Sequence, residues 1–209
     1  NIVLDSSGNA FAAAVTMKAD TGGDETFGNI TFVDSAAVKL HSSAGTNGDL
    51  FIDAGTDLAV GGNLSITATT GDITQGAVVA VTGTTTLAAS TSNDITLDNT
   101  SNNFQGAVKI TSGNDVTLVD AGDIDLGVST VSGAYAVTAT AGGDITDSGI
   151  LAITGAATFT AANGQSIYLD GANTFSNTVT FGSGGTLANV TIRDSNDFAL
   201  AALTLSGNL

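Results

Sequence analysis

The stretch Gly71-Asp72-Ile73-Thr74-Gln75-Gly76-Ala77-Val78-Val79-Ala80-Val81-Thr82-Gly83 decides the fold. It returns at positions 143 to 155 as Gly143-Asp144-Ile145-Thr146-Asp147-Ser148-Gly149-Ile150-Leu151-Ala152-Ile153-Thr154-Gly155. A long internal repeat constrains architecture before any local motif does. The match continues downstream. Ile95-Thr96-Leu97-Asp98 pairs with Ile167-Tyr168-Leu169-Asp170, Phe104 pairs with Phe175, and Val116-Thr117-Leu118-Val119-Asp120 pairs with Val190-Thr191-Ile192-Arg193-Asp194. A partial copy comes earlier. Ile2-Val3-Leu4-Asp5, Asn9 and Phe11 match Ile95 to Asp98, Asn102 and Phe104, and Ile30 to Asp34 match Val116 to Asp120. The chain reads as one β-solenoid domain over 1–209, with a partial super-repeat over 1–70, one over 71–142 and a truncated one over 143–209. Both ends fall inside a repeat, which predicts a segment of a longer array.

Inside the 72–74-residue super-repeat lies a shorter period. Ile30, Leu50, Ile73, Ile95, Val116, Ile145, Ile167 and Val190 each open a short apolar run. The steps between them cluster near a coil of about 22 residues, except for a longer one from Val116 to Ile145. That long step holds an additional short strand, Asp123-Ile124-Asp125-Leu126. A unit of about 22 residues cannot bury both faces of a sheet alone, whereas stacked units can. Alternation puts Ile73, Val79, Val81, Ile95, Leu97, Val108, Ile110, Val116, Leu118, Ile124 and Leu126 inside, with Thr and Asp mostly outside. Gly, Asn, Asp and Ser belong at corners, where positive φ or a side chain that caps its own turn is useful. The expected fold is all-β: a single parallel β-solenoid, a right-handed β-helix of about 22 residues per coil and roughly nine coils.

Composition agrees. Charged residues are 11% of the chain, well below an ordinary domain, while Gly is abundant at 27 and Pro is absent. Missing Pro suits strands that need every N–H for a neighbouring coil. Of 20 acids only Glu25 is Glu; the rest are Asp, which favours turns over helices. Without Cys there is no disulfide framework and no Cys-based zinc site, and a single His excludes multi-histidine metal sites. A net charge of −16 argues against nucleic acid and against anionic membrane surfaces. No apolar run approaches the roughly 20 residues that span a bilayer.

The phrases Gly-Asp-Ile-Thr at 71–74 and 143–146, Ala80-Val81-Thr82-Gly83-Thr84-Thr85-Thr86-Leu87, Ile95-Thr96-Leu97-Asp98-Asn99 and Asp115-Val116-Thr117-Leu118-Val119-Asp120 carry a resemblance. The chain resembles the repeat regions of bacterial filamentous haemagglutinin-like exoproteins and giant repetitive adhesins. The likeness is specific for architecture and much less so for activity. It implies a secreted β-helical stalk at the bacterial cell surface, non-enzymatic, with flanking repeats or copies of itself end to end as partners. The secretion domain of that family carries Asn-Pro-Asn motifs, and a chain with no Pro lacks them.

Other chemistries leave weaker traces. His41, in Lys39-Leu40-His41-Ser42-Ser43, has no copy in the other repeats and reads as a solvated loop histidine rather than a catalytic base. A polysaccharide lyase or hydrolase is the main enzymatic alternative. Asp123 and Asp125 alternate with apolar Ile124 and Leu126, so both should face outward, with α-carbons about 6.6 Å apart. Their repeat-equivalents are Ala37 and Lys39 in one copy and Asp197 and Ala199 in another, and the only arginine is Arg193. Direct ligand adhesion by a solenoid face is a further alternative. Weak calcium candidates are Asp98, Asp170, Asp123 and Asp125, since Asp and turn carbonyls are suitable hard ligands. Asp5, Asp98 and Asp170, each following an apolar strand, read more simply as caps of corner turns. No other cofactor is expected. Thr-x-Thr pairs such as Thr67/Thr69, Thr138/Thr140, Thr158/Thr160 and Thr178/Thr180 fall at different strand phases and read as ordinary β-branched strand residues.

Overall fold

The computed structural model describes residues 2–6, 8–11, 15–17, 28–34, 38–41, 49–52, 57–197 and 199–209. Every regular element among them is a strand, and the strands pair in parallel. Strand formation follows from the alternation. Leu64–Ala68, Tyr135–Ala139 and Ala157–Ala161 each bury every second residue and leave Ser, Thr or Ala between. All eleven positions expected inside are buried. The Gly-, Asn- and Asp-rich stretches between strands turn the chain, so that each coil lies on the previous one.

A coil has three faces. On the first face Ile73, Ile95, Val116, Tyr135, Ala157, Val179 and Leu200 stack in register, each one coil beyond the last. On the second face Leu58 stacks on Val79 and Val81 on Phe104; higher up, Ile124, Ile145, Ile167 and Val190 form the column. On the third face Ile2, Ile30, Leu64, Thr85 and Val108 align, and the strands Ser129–Val131 and Leu151–Ile153 continue upward. The second and third faces meet at a single pair, Val108–Leu126, where the corner shifts. Higher still, the strand Ile167–Phe175 bends round that corner: its start pairs with Ile145 and its end with Ile153.

These ladders correct the expected column of strand starts. Val116 pairs with Tyr135 and not Ile145, and Ile30 pairs with Leu64 and not Leu50. The long step from Val116 to Ile145 is a move from the first face to the second. Repeat-equivalent strands therefore do not stack on one another. Ile73 is on the first face and Ile145 on the second; Val81 is on the second and Ile153 on the third; Leu87 is on the third and Phe159 on the first. The partial copy obeys the same rule, since Ile30 on the third face corresponds to Val116 on the first. One super-repeat is thus three turns plus one face.

Regular turns number six, from Ile73 to Leu200, rather than nine. Lower down, the third-face strands open at Ile2, Ile30 and Leu64, wider apart in sequence because the connections are longer there. The strand Asp49–Ile52 is inserted out of chain order, between Val15–Met17 and Val38–His41.

The interior is apolar and close-packed. Phe32, Phe104, Phe159 and Phe175 are fully buried, as is Tyr135. Phe159 stacks on Phe181 at 6.0 Å and meets Tyr135 and Phe175 edge to face at the same distance. Each such side chain contributes about 1.5–3 kcal/mol of burial. Where coils approach most closely, only Gly fits: a Cβ on Gly143 would collide with the carbonyl of Gly122 in the coil below.

Candidate functional site

The described residues present three strand faces and three corners, and the corners hold most of the acids. Asp72 Oδ1 accepts the N–H of Asp94 at 2.9 Å, Asp94 Oδ1 accepts that of Asp115 at 3.0 Å, and Asp115 Oδ1 accepts that of Ala134 at 2.8 Å. Asp123 and Asp144 do the same for Asp144 and Ser166, at 2.8 and 2.7 Å. Asn29 and Asn63 serve Asn63 and Thr84 on a third corner. The residue just before a strand thus bonds the next coil, whereas the sequence alone suggests a side chain that caps its own turn. This is the physical role of Asp in Gly-Asp-Ile-Thr. A corner residue lies outside the strand ladder, and its N–H needs an acceptor from elsewhere.

A second recurring device is buried. Asn102 is fully buried; its Oδ1 accepts from Val79 N at 2.9 Å and Gln75 Nε2 at 2.8 Å. Its Nδ2 donates to Gln75 Oε1 at 2.9 Å and to Val119 O at 3.2 Å. Beside it, Asp120 accepts Phe104 N at 2.6 Å and Gly122 N at 2.7 Å. In the following copy Asn173 accepts Leu151 N at 2.8 Å and donates to Asp147 Oδ2 at 2.7 Å, while Asp194 accepts Phe175 N at 3.2 Å. In the partial copy Asn9 donates to Val33 O and Asp34 accepts Phe11 N. Gln75 and Asp147 are repeat-equivalent, so one copy uses an amide where the next uses a carboxylate.

Two carboxylates in these sites, Asp120 and Asp147, are perturbed. Burial holds Asp120 above the usual carboxylate value of 3.8; bonds from the Phe104 and Gly122 N–H groups oppose this, and the Asp123 charge adds to it. Burial likewise raises Asp147, against its bonds from Asn173, Gly171 and Asp170, with the Asp170 charge adding to the rise. Burial pushes the Tyr135 phenol far above its ordinary value.

The four calcium candidates do not converge. Asp98 follows a first-face strand and Asp170 lies in a second-face strand, both exposed. Asp123 is exposed and its Oδ1 takes the Asp144 N–H; Asp125 is half-buried and bonds both the N–H and the hydroxyl of Ser148 at 2.8 Å. Among the described residues no three His, Asp or Glu side chains gather as a metal site. Nor do Asp98 and Asp170 supply the side-chain oxygens at the buried corners, which come instead from Asn102, Asn173, Asp120 and Asp194. Arg193 is exposed and shares a strand with Thr191, which lies three strand spacings, about 14 Å, along the axis from Asp125 through Thr146 and Tyr168. Ala37, the repeat-equivalent of Asp123, lies outside the described residues. His41 is not in a loop: it closes the strand Val38–His41 and its backbone pairs with Phe51.

The faces themselves are shallow and hydroxyl-rich. Thr74, Thr96, Thr117, Thr158 and Thr180 form one outward column on the first face, interrupted at Ala136. Threonines out of phase in the sequence are thus aligned in space. A depression on the third face is lined by Asn29, Thr31, Asn63, Ser65, Thr86 and Lys109. Another lies at the first-face edge, between Thr138, Thr160 and Asn163.

Ladder, corners and repeat together define a parallel β-solenoid repeat protein. The chain belongs to a family of repeats of unknown function (DUF5649), whose model matches residues 27–111 and 113–182. The two matched segments begin at 27 and 113, the same separation as that of Ile30 from Val116. No curated protein and no solved structure matches the chain.

Proposed function

We propose that this chain is a structural spacer, part of the stiff shaft of a secreted bacterial surface adhesin or extracellular filament. Its neighbours are flanking solenoid repeats or further copies stacked end to end. The role is mechanical and non-enzymatic: to hold a distal binding region away from the cell. One observation carries the reading. Seven first-face strands pair in unbroken sequence from Ile73 to Leu200, and corner side chains bond successive coils beside them. Bending such a stack disrupts strand ladders, corner bonds and interior packing at once. A net charge of −16 discourages lateral clumping, and four basic residues leave little for trypsin-like proteases.

Electron microscopy of the native, unexcised protein tests this. Long uniform rods with an axial spacing near about 4.8 Å are expected. Discrete short particles with closed ends would remove the shaft reading, and assays on acidic polysaccharides would come next.

A further inference from the structure

The super-repeat and the coil do not share a period. Three first-face steps lead from Thr96 through Thr117 and Ala136 to Thr158. The super-repeat runs on past Thr158 and carries Thr96 to Tyr168, on the second face. The extra stretch, 159–168, leads over one corner onto the next strand. The step is the same for the strands opening at Ile30, Ile73, Val79, Thr85, Ile95 and Val116. The last strand departs from it, since Ala199, equivalent to Asp125 on the second face, lies on the first. Ile30, Val116 and Val190, opening the three copies of one strand, stand on the third, first and second faces in turn. The buried corners rotate with them, through Asp34, Asp120 and Asp194.

We infer that the repeat is a rotating display unit: successive copies present the same side-chain position on successive faces, and three steps return it to its starting face. An outward repeat position is the middle residue of the Ile-x-Leu-Asp strand, occupied by Val3, Thr96 and Tyr168. Val3 and Tyr168 are among the exposed large hydrophobics. These residues cannot form one continuous row. A partner that reads a repeat-borne position meets it from three sides of the rod, one copy per side. A flat extended surface laid against one face meets only every third copy. The rows that do run straight along a face, such as Thr74 to Thr180, are assembled from non-equivalent repeat positions. This inference is independent of the shaft reading, since a stiff spacer exists with either geometry.

The chain has no Cys, so spin labels can be placed in pairs without background. One variant carries Thr96→Cys and Thr158→Cys, on one column. A second carries Thr96→Cys and Tyr168→Cys, equivalent in the repeat. Dipolar broadening and double electron–electron resonance read the distances. The first pair should fall near three strand spacings, about 14 Å. The second adds about 10 Å perpendicular to the axis, the scale on which packed sheets are separated, and so should lie at about 18 Å. Equal distances would mean that the repeat spans whole turns, and would overturn the inference. A long distance for the first pair would overturn it too, by removing the column on which it rests.

Discussion

At the scale of single residues, the buried Asn102, Asn173 and Asp120 are explained by their partners. Asn102 meets backbone and side-chain partners on both its amide atoms, and without it Val79 N and Val119 O lose that bond. Asp147 does a comparable task as an anion and sits beside the charge of Asp170. Its carboxyl, like that of Asp120, holds its proton more tightly in the folded chain than an ordinary carboxyl at 3.8. The folded state therefore binds more protons, and the stability present below the ordinary value is lost as pH rises through the raised ones. The melting temperature should accordingly be higher at pH 5 than at pH 8, the reverse of common acid sensitivity. Asp147→Gln copies the residue found at the equivalent Gln75. It should raise stability at pH 8 by on the order of 1 kcal/mol and flatten the pH dependence, as read by thermal melts across that range. A loss of stability at pH 8 would show that the carboxylate is needed as a charge.

At the scale of the strand and its corner, legibility is uneven. The interior positions are legible because alternation in a strand is a two-state code, and Ile, Val and Leu mark one state. The neighbour of each strand is not. Val116 and Ile145 open similar phrases, yet Val116 stacks on Tyr135, a residue that no apolar motif singles out. Pairing depends on coil length, which is set in turns whose residues carry no alternation. The Asx bonds between coils are illegible for a related reason, since donor and acceptor are a whole coil apart in the chain. The calcium candidates show the same gap: the sequence marks Asp98 and Asp170 as acids after strands, but not that Asn102 and Asn173 take the buried corners. Close packing at corners gives a sharp test. Gly143→Ala would drive a Cβ into the Gly122 carbonyl. It should cost roughly 1–3 kcal/mol in urea denaturation. Gly184 has open space around the same position, and Gly184→Ala should stay within about 0.5 kcal/mol of the parent. Equal costs at the two sites would mean that the coils are not as close as the Gly143 corner requires.

For the molecule as a whole, stability is a sum over coils and their interfaces, each coil touching chiefly its neighbours. Amides in the central first-face strands Val116–Asp120, Tyr135–Ala139 and Ala157–Ala161 lie between coils on both sides. Those of Ala199–Leu200, where Leu200 is 40% exposed, pair on one side only. Hydrogen exchange should follow that gradient, slowest in the central strands and at least about a hundredfold faster at Ala199–Leu200. Uniform protection along the chain would indicate a single cooperative unit instead.

The bonds between corners also have a direction. Asp72 holds the backbone of Asp94, Asp94 that of Asp115, and Asp115 that of Ala134; in each the side-chain oxygen belongs to the earlier coil and the N–H to the later. This corner consequently carries a chemical arrow from earlier coil to later, opposite to the buried corners, where Asp120 accepts Phe104 N and Asn173 accepts Leu151 N. A chain delivered N-terminus first finds, at the Asp72, Asp94 and Asp115 corners, the acceptor already fixed when the donor arrives. At these exposed corners the order of delivery and the order of closure are the same.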